Sequence, residues 1–178
     1  MPPALLPLQR FGGLVTSALL LLLAGCATPE VNPSAPRTDK GYADFYPDPA
    51  REIYWEIDLW DAQASQFKSF YSKFGAPDHG ILRLELAPGR HRCRITVLNL
   101  ATKGPVQAEV EIVPEKITPV RVQYEAAGDT YVRSVDDKLA HGGRRREVTD
   151  YQHQIYRLSA VAQAPEAYHP KQKMPYAH

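Results

Sequence analysis

Arginine is the residue type in this 178-residue chain whose spacing is best suited to chemistry. Arg92 and Arg94 stand two apart, so a strand would point both to one face. Arg144, Arg145 and Arg146 follow Gly142 and Gly143, the composition of a glycine-led loop. A guanidinium presents a planar fork of donors that matches phosphate. Lipid A, phospholipid headgroups and teichoic phosphates are therefore ligands such a set could hold. The plainer reading, ranked first, makes the strand arginines a solvated face and the loop an ordinary exposed one. Tyr42, Phe45, Tyr46, Tyr54 and Trp60 form a second set. Facing outward, Tyr54 and Trp60 could stack on sugars or a partner, but burial is the expectation for rings of this size.

Reactive constellations are missing from the pattern. The histidines are His79, His91, His141, His153, His169 and His178. No two have the spacing that shares a helix or strand face, and there is no CxxC, HxH or HxxxH, so no metal site is expected. His91 falls at an inward strand position, which suits a hydrogen-bonded core histidine. There is no GxSxG elbow, and Ser134 and Ser159 have no recognisable base or oxyanion loop beside them. Cys93 alternates with arginines that should point the other way, so a buried structural thiol is expected over a reactive one. Asp136 and Asp137 read as a solvated turn. No glycine-rich loop follows a strand and opens a helix, so no nucleotide cradle is expected. No catalytic residue, cofactor or metal is assigned.

The elements that must position these residues are strands. Ile53, Trp55, Ile57 and Leu59 alternate with Tyr54, Glu56, Asp58 and Trp60. Leu82, Leu84 and Leu86 alternate with Arg83 and Glu85. After Ala87, Pro88 and Gly89, an inward set of His91, Cys93, Ile95 and Val97 alternates with Arg92, Arg94 and Thr96. Val106, Ala108, Val110 and Ile112 follow, then Val120, Val122 and Tyr124. Each run is bounded by Pro, Gly, Asn or Asp. With a first strand over residues 41–46, these predict a mainly β fold, an antiparallel sandwich whose sheets each keep one wet face. Residues 66–74 place Phe67, Phe70, Tyr71 and Phe74 at helical spacing, so a short helix is favoured slightly over a strand. Residues 149–161 read as a final strand. Residues 27–40 are proline-rich and poor in large apolar side chains, which predicts a flexible tether roughly 20 Å in reach. Residues 163–178 read as a loose tail.

Ahead of the tether, an apolar run over residues 14–23 is interrupted only by Thr16, Ser17 and Ala18. It closes on Leu23, Ala24, Gly25 and Cys26. Arg10 precedes it and no acidic residue occurs before Glu30. The wider apolar stretch from Phe11 to Ala24 is too short and too glycine-interrupted to span a bilayer comfortably. This close resembles the lipobox of bacterial lipoproteins. The resemblance implies a signal peptide over residues 1–25, recognised at Leu23, Ala24 and Gly25 by signal peptidase II. It further implies diacylglycerol and an acyl chain on Cys26, and hence a firm membrane anchor. An ordinary secretory signal with an incidental cysteine is the alternative. Ala27 stands where an aspartate would favour the inner membrane, so the resemblance implies the periplasmic face of the outer membrane. Arg10 leaves with the leader, so basic residues then equal the 20 acidic ones. No global field draws the domain to nucleic acid. Lipidation also consumes one of two cysteines, so the domain must hold without a disulfide.

Residues 80–124, with Leu86, Ala87, Pro88, Gly89, Arg90 and His91 at their first turn, resemble the PEGA domain and related immunoglobulin-like modules. The name-giving tetrad is missing, residues 62–79 would be an insertion, and residues after Glu125 have no counterpart. The resemblance implies a small non-catalytic β-sandwich, here over residues 41–162. The expected function is a lipid-anchored, non-enzymatic envelope protein that binds or organises a protein or glycan partner. An enzyme acting on cell-wall or lipid substrates and an anion-binding sensor are the competing expectations.

Overall fold

The computed structural model describes residues 30–137 and 147–172, with side chains described for 30–132 and 152–172. The protein is mainly β. Its strands are β1 (Gly41–Asp48), β2 (Trp55–Asp61), β3 (Gln66–Ser72), β4 (Leu82–Leu86), β5 (Gly89–Val97), β6 (Val106–Ile112), β7 (Lys116–Asp137), β8 (Glu147–Ala162) and β9 (Glu166–Ala167). One sheet runs β4-β1-β7-β8, with β9 added to β7, and the other runs β3-β2-β5-β6. Neither closes into a barrel. Alternation places Leu82, Leu84, Ala43, Phe45, Val120 and Val122 of the first sheet in one core with Trp55, Ile57, Cys93, Ile95 and Val110 of the second. Each such fully buried large apolar side chain contributes about 1.5–3 kcal/mol.

Four sequence expectations change. Residues 66–72 form strand β3, not a helix. Ile57 pairs with Tyr71 and Asp58 with Ser69, which leaves Phe70 as the extra residue of a β-bulge. The bulge turns Tyr71 inward while Phe67 stays outward beside Trp60, so the aromatics acquire a helix-like spacing without a helix. Secondly, β1 pairs with β7 in parallel, whereas every other strand pairing is antiparallel. Period-two patterning is the same in both kinds of ladder. The strand over residues 149–161 is found, within β8.

The other two changes concern the chain ends. The tether expected over residues 26–40 is laid down from Glu30 onward: Val31 N–H donates to Arg83 O at 3.1 Å, and Arg37 N–H to Tyr42 Oη at 3.0 Å. The expected loose tail is likewise docked through residue 172. Glu166–Ala167 pairs with β7, Tyr168 donates its hydroxyl to Pro33 O, and buried Lys171 pairs with Glu30. The two segments form an irregular third layer over the outer face of the β4-β1-β7 sheet. They account for a second departure from alternation, since Tyr42, Asp44 and Arg83 point away from the core yet are buried.

Beyond Thr130 and Gln154, β7 and β8 pair only with each other among the described strands.

Candidate functional site

The uncovered outer face is that of β3-β2-β5-β6. Register sets its side chains in transverse rows. Phe67 pairs with Trp60, Leu59 with Cys93, and Arg92 with Glu109, so Phe67, Trp60, Arg92 and Glu109 stand in line across four strands. At one strand spacing per step the row is about 14 Å long. Trp60 meets Phe67 edge-on, with centroids 5.1 Å apart and planes at 73°. The Arg92 guanidinium lies 5.2 Å from the Trp60 centroid, and that of Arg94 4.9 Å from Phe67. Trp60 is the side chain of this row that remains a large exposed apolar surface, at 38 %.

Arg92 and Arg94, which the sequence placed on one face, are both there but are not equivalent. Arg94 is paired with buried Asp58 at 2.7 Å, and that pair is electrically closed. Arg92 gives Nε and Nη2 to the uncharged Gln107 Oε1 at 2.9 and 2.7 Å. Its direction is fixed, while among the described residues no carboxylate contact neutralises its charge. Exposed Arg90 makes no ion pair among the described residues either. Trp60, Ala62, Arg90, His91, Arg92 and Glu109 line a depression of about 310 Å³. His91 is half-exposed at this rim rather than in the core, because the turn at Gly89 brings Ala87 O to 2.7 Å from its Nε2. A surface of this kind offers a π face, a fixed cation and a carboxylate acceptor, which is equipment for binding. Of the other aromatics, Tyr42 and Phe45 are fully buried, and Tyr54 stacks edge-on against exposed Phe74 at 5.1 Å.

Leu23, Ala24, Gly25, Cys26, Arg144, Arg145 and Arg146 fall outside the described residues. Cys93 is buried, unpaired and pushed up to about 12 by burial, so it carries a neutral thiol at physiological pH. In the Cys26→Ala chain, where Cys93 is the sole thiol, iodoacetamide labelling at pH 8 should be slow and should speed up in step with urea unfolding. Rapid labelling of the folded chain would contradict this burial.

A second cavity, of about 260 Å³, was not foreseen. It lies under the C-terminal segment and is lined by Asp44, Tyr46, Ile81, Pro119, Gln163, Glu166 and His169. Its charged groups and its histidine are already engaged. Both Asp44 oxygens accept from Arg83 at 2.7 Å, and His169 has Pro170 O at 3.0 Å and Glu166 at 3.2 Å on its two ring nitrogens. The Pro170 carbonyl above all, then Glu166, favours the charged imidazole and raises its pKa. Such a histidine is a hydrogen-bonded fastener rather than a base. His79 pairs with Asp78 at 3.4 Å and His153 stacks on Tyr131 at 5.0 Å; neither lines either cavity. No cluster of metal-ligating side chains occurs among the described residues.

No family model and no solved structure matches the chain. A 140-residue stretch, 78% of the chain, is 27% identical to UDP-N-acetylmuramate–L-alanine ligase of Neisseria meningitidis serogroup A / serotype 4A, of which it covers 29%.

Proposed function

We propose that this chain is a lipid-anchored, non-enzymatic envelope protein that holds a protein or glycan partner on the open face of an immunoglobulin-like, PEGA-like sandwich. The row Phe67, Trp60, Arg92 and Glu109 carries the reading. It presents an exposed ring beside a guanidinium that has no ion pair among the described residues. Two sheets around one core, a β5–β6 hairpin and a covered opposite face support the sandwich part of the proposal. The ligase likeness covers under a third of that enzyme, and this chain has no glycine-rich phosphate loop, so binding stands ahead of ligation.

The anchor is taken from the leader, and the docked N-terminal segment adds a consequence. Four peptide steps separate Cys26 from Glu30, so their Cα atoms are at most about 14 Å apart. An acylated Cys26 would then hold the domain against the bilayer rather than on a long tether. In this reading the terminal layer turns towards the membrane and the β3-β2-β5-β6 face turns away from it. Cells fed a radiolabelled fatty acid should incorporate label into the chain and retain it in the membrane fraction. Cys26→Ala should lose the label and move to the soluble fraction. A Cys26→Ala chain that stays membrane-bound would remove the anchor.

A further inference from the structure

We propose that the open face binds an acidic sugar: its ring lies on Trp60 and its carboxylate or phosphate is held by Arg92 and Arg90. Three observations converge. Trp60 is held on two sides, by the Phe67 ring and by Arg92, yet keeps 38 % of its surface open. A flat ring held still and left partly open suits a pyranose, whose axial C–H groups present a flat apolar face while its hydroxyls point sideways. The charge beside it is also held in place. Gln107 orients the Arg92 fork through an uncharged amide, and Glu109, though opposite in register, makes no ion pair with it. Arg94, one row away, shows the contrasting arrangement, with Asp58 closing its charge. Thirdly, the depression of about 310 Å³ joins these groups and is of small-ligand size. Glu109 on its wall can accept from sugar hydroxyls, a role an anion site alone would not need.

The choice of sugar over lipid headgroup comes from the layers, and in this it rests on the anchored reading above. Residues 30–40 and 163–172 cover the far side of the molecule, so the Trp60 face lies beyond both sheets from the end that leads to Cys26. A headgroup of the anchoring membrane would have to be reached around the whole domain. A glycan standing off that membrane would not.

Titrations of the full chain in detergent with trigalacturonate, maltotriose and inorganic phosphate test the proposal. The two tryptophans make the readout clean, since Trp55 is 1 % exposed and Trp60 is the accessible one. Trigalacturonate should shield Trp60 from acrylamide quenching in a saturable, salt-sensitive manner. Arg92→Ala should weaken binding about tenfold or more, as expected for loss of a charge-assisted contact. Arg37→Ala, in the exposed Arg37–Asp39 pair of the opposite layer, should change it less than about twofold. Trp60→Ala, followed by calorimetry, should abolish it. Unchanged Trp55 emission reports that each variant is folded. Maltotriose binding as tightly as trigalacturonate would overturn the anionic part, and phosphate competing at equal concentration would overturn the sugar part. No binding of trigalacturonate, or an Arg92→Ala chain that binds normally, would overturn the site. These titrations do not depend on Cys26, so a failed anchor and a failed sugar site give different results.

Discussion

Replacing Arg83 with alanine is expected to lower the unfolding free energy by about 3–5 kcal/mol, read from urea denaturation. Arg83 is fully buried in β4, and it meets Asp44 of β1 by register. Its Nε and Nη2 each donate to an Asp44 oxygen at 2.7 Å, and Nη1 donates to His169 O at 2.8 Å. The Tyr168 ring closes over it with its centroid 5.1 Å away. Burial works against the charge, but the bidentate bonds to Asp44 outweigh it and hold the guanidinium above its ordinary value. Truncation leaves the Asp44 carboxylate, itself only 5 % exposed, without its charge partner, and leaves the His169 carbonyl without its donor. The pair as a whole is worth much less than its breakage costs. Arg83→Met combined with Asp44→Leu should therefore recover most of the loss. Arg37→Ala is the control: Arg37 bridges exposed Asp39 at 3.1 Å, and its removal should cost under about 1 kcal/mol. Equal effects at Arg83 and Arg37 would mean that the third layer does not shield the pair.

Arg83 also marks where local sequence stops being informative. The alternation of Leu82, Leu84 and Leu86 reads correctly as a strand with its apolar side in the core. The same alternation assigns Arg83 to solvent, because burial of the outer face depends on Tyr168 and His169, far away in sequence. Segments with few large apolar residues were expected to stay loose. They dock by spending backbone groups on the sheet and by closing Lys171 onto Glu30, neither of which has a periodic signature. Around the candidate site, the shared face of Arg92 and Arg94 was legible because strand parity alone decides it. Their different electrical states were not. Those depend on which residues β2 and β6 bring alongside, and register is set by loops and by the bulge at Phe70. Parity also placed Trp60 outward, but the general tendency of large rings to be buried argued the other way, and here parity prevails.

Gly41→Ala is expected to cost about 3 kcal/mol, a large effect for a single methyl group. A Cβ at Gly41 would stand 2.3 Å from Val113 O, 2.8 Å from Ile112 Cγ2 and 3.0 Å from Val113 C. The nearest obstacle is backbone, which cannot rotate out of the way as a lysine chain would. Nor can β1 simply shift. It is an inner strand, with Gly41 paired to Leu86 of β4 and Tyr42 to Ile117 of β7, so a displaced start disturbs two ladders. Just beyond, Glu115 N–H donates to Lys40 O at 2.8 Å, which ties the β6–β7 turn to the same point. Two other glycines calibrate the result. At Gly75 the nearest atom to a new Cβ is the flexible Lys73 Cε at 3.9 Å, so alanine there should change stability by no more than about 0.5 kcal/mol. At Gly89 the space is open but φ is +126°, so the cost should be backbone strain of about 1–3 kcal/mol. Urea midpoints should thus place Gly41 and Gly89 well below Gly75. Asp44 lies three residues along β1 from Gly41, so a shifted strand already loosens the Arg83 pair. The double variant Gly41→Ala with Arg83→Ala should lose less than the two single losses added. Strict additivity would mean that β1 yields at its first residue without moving Asp44, and that the crowding at Val113 is local.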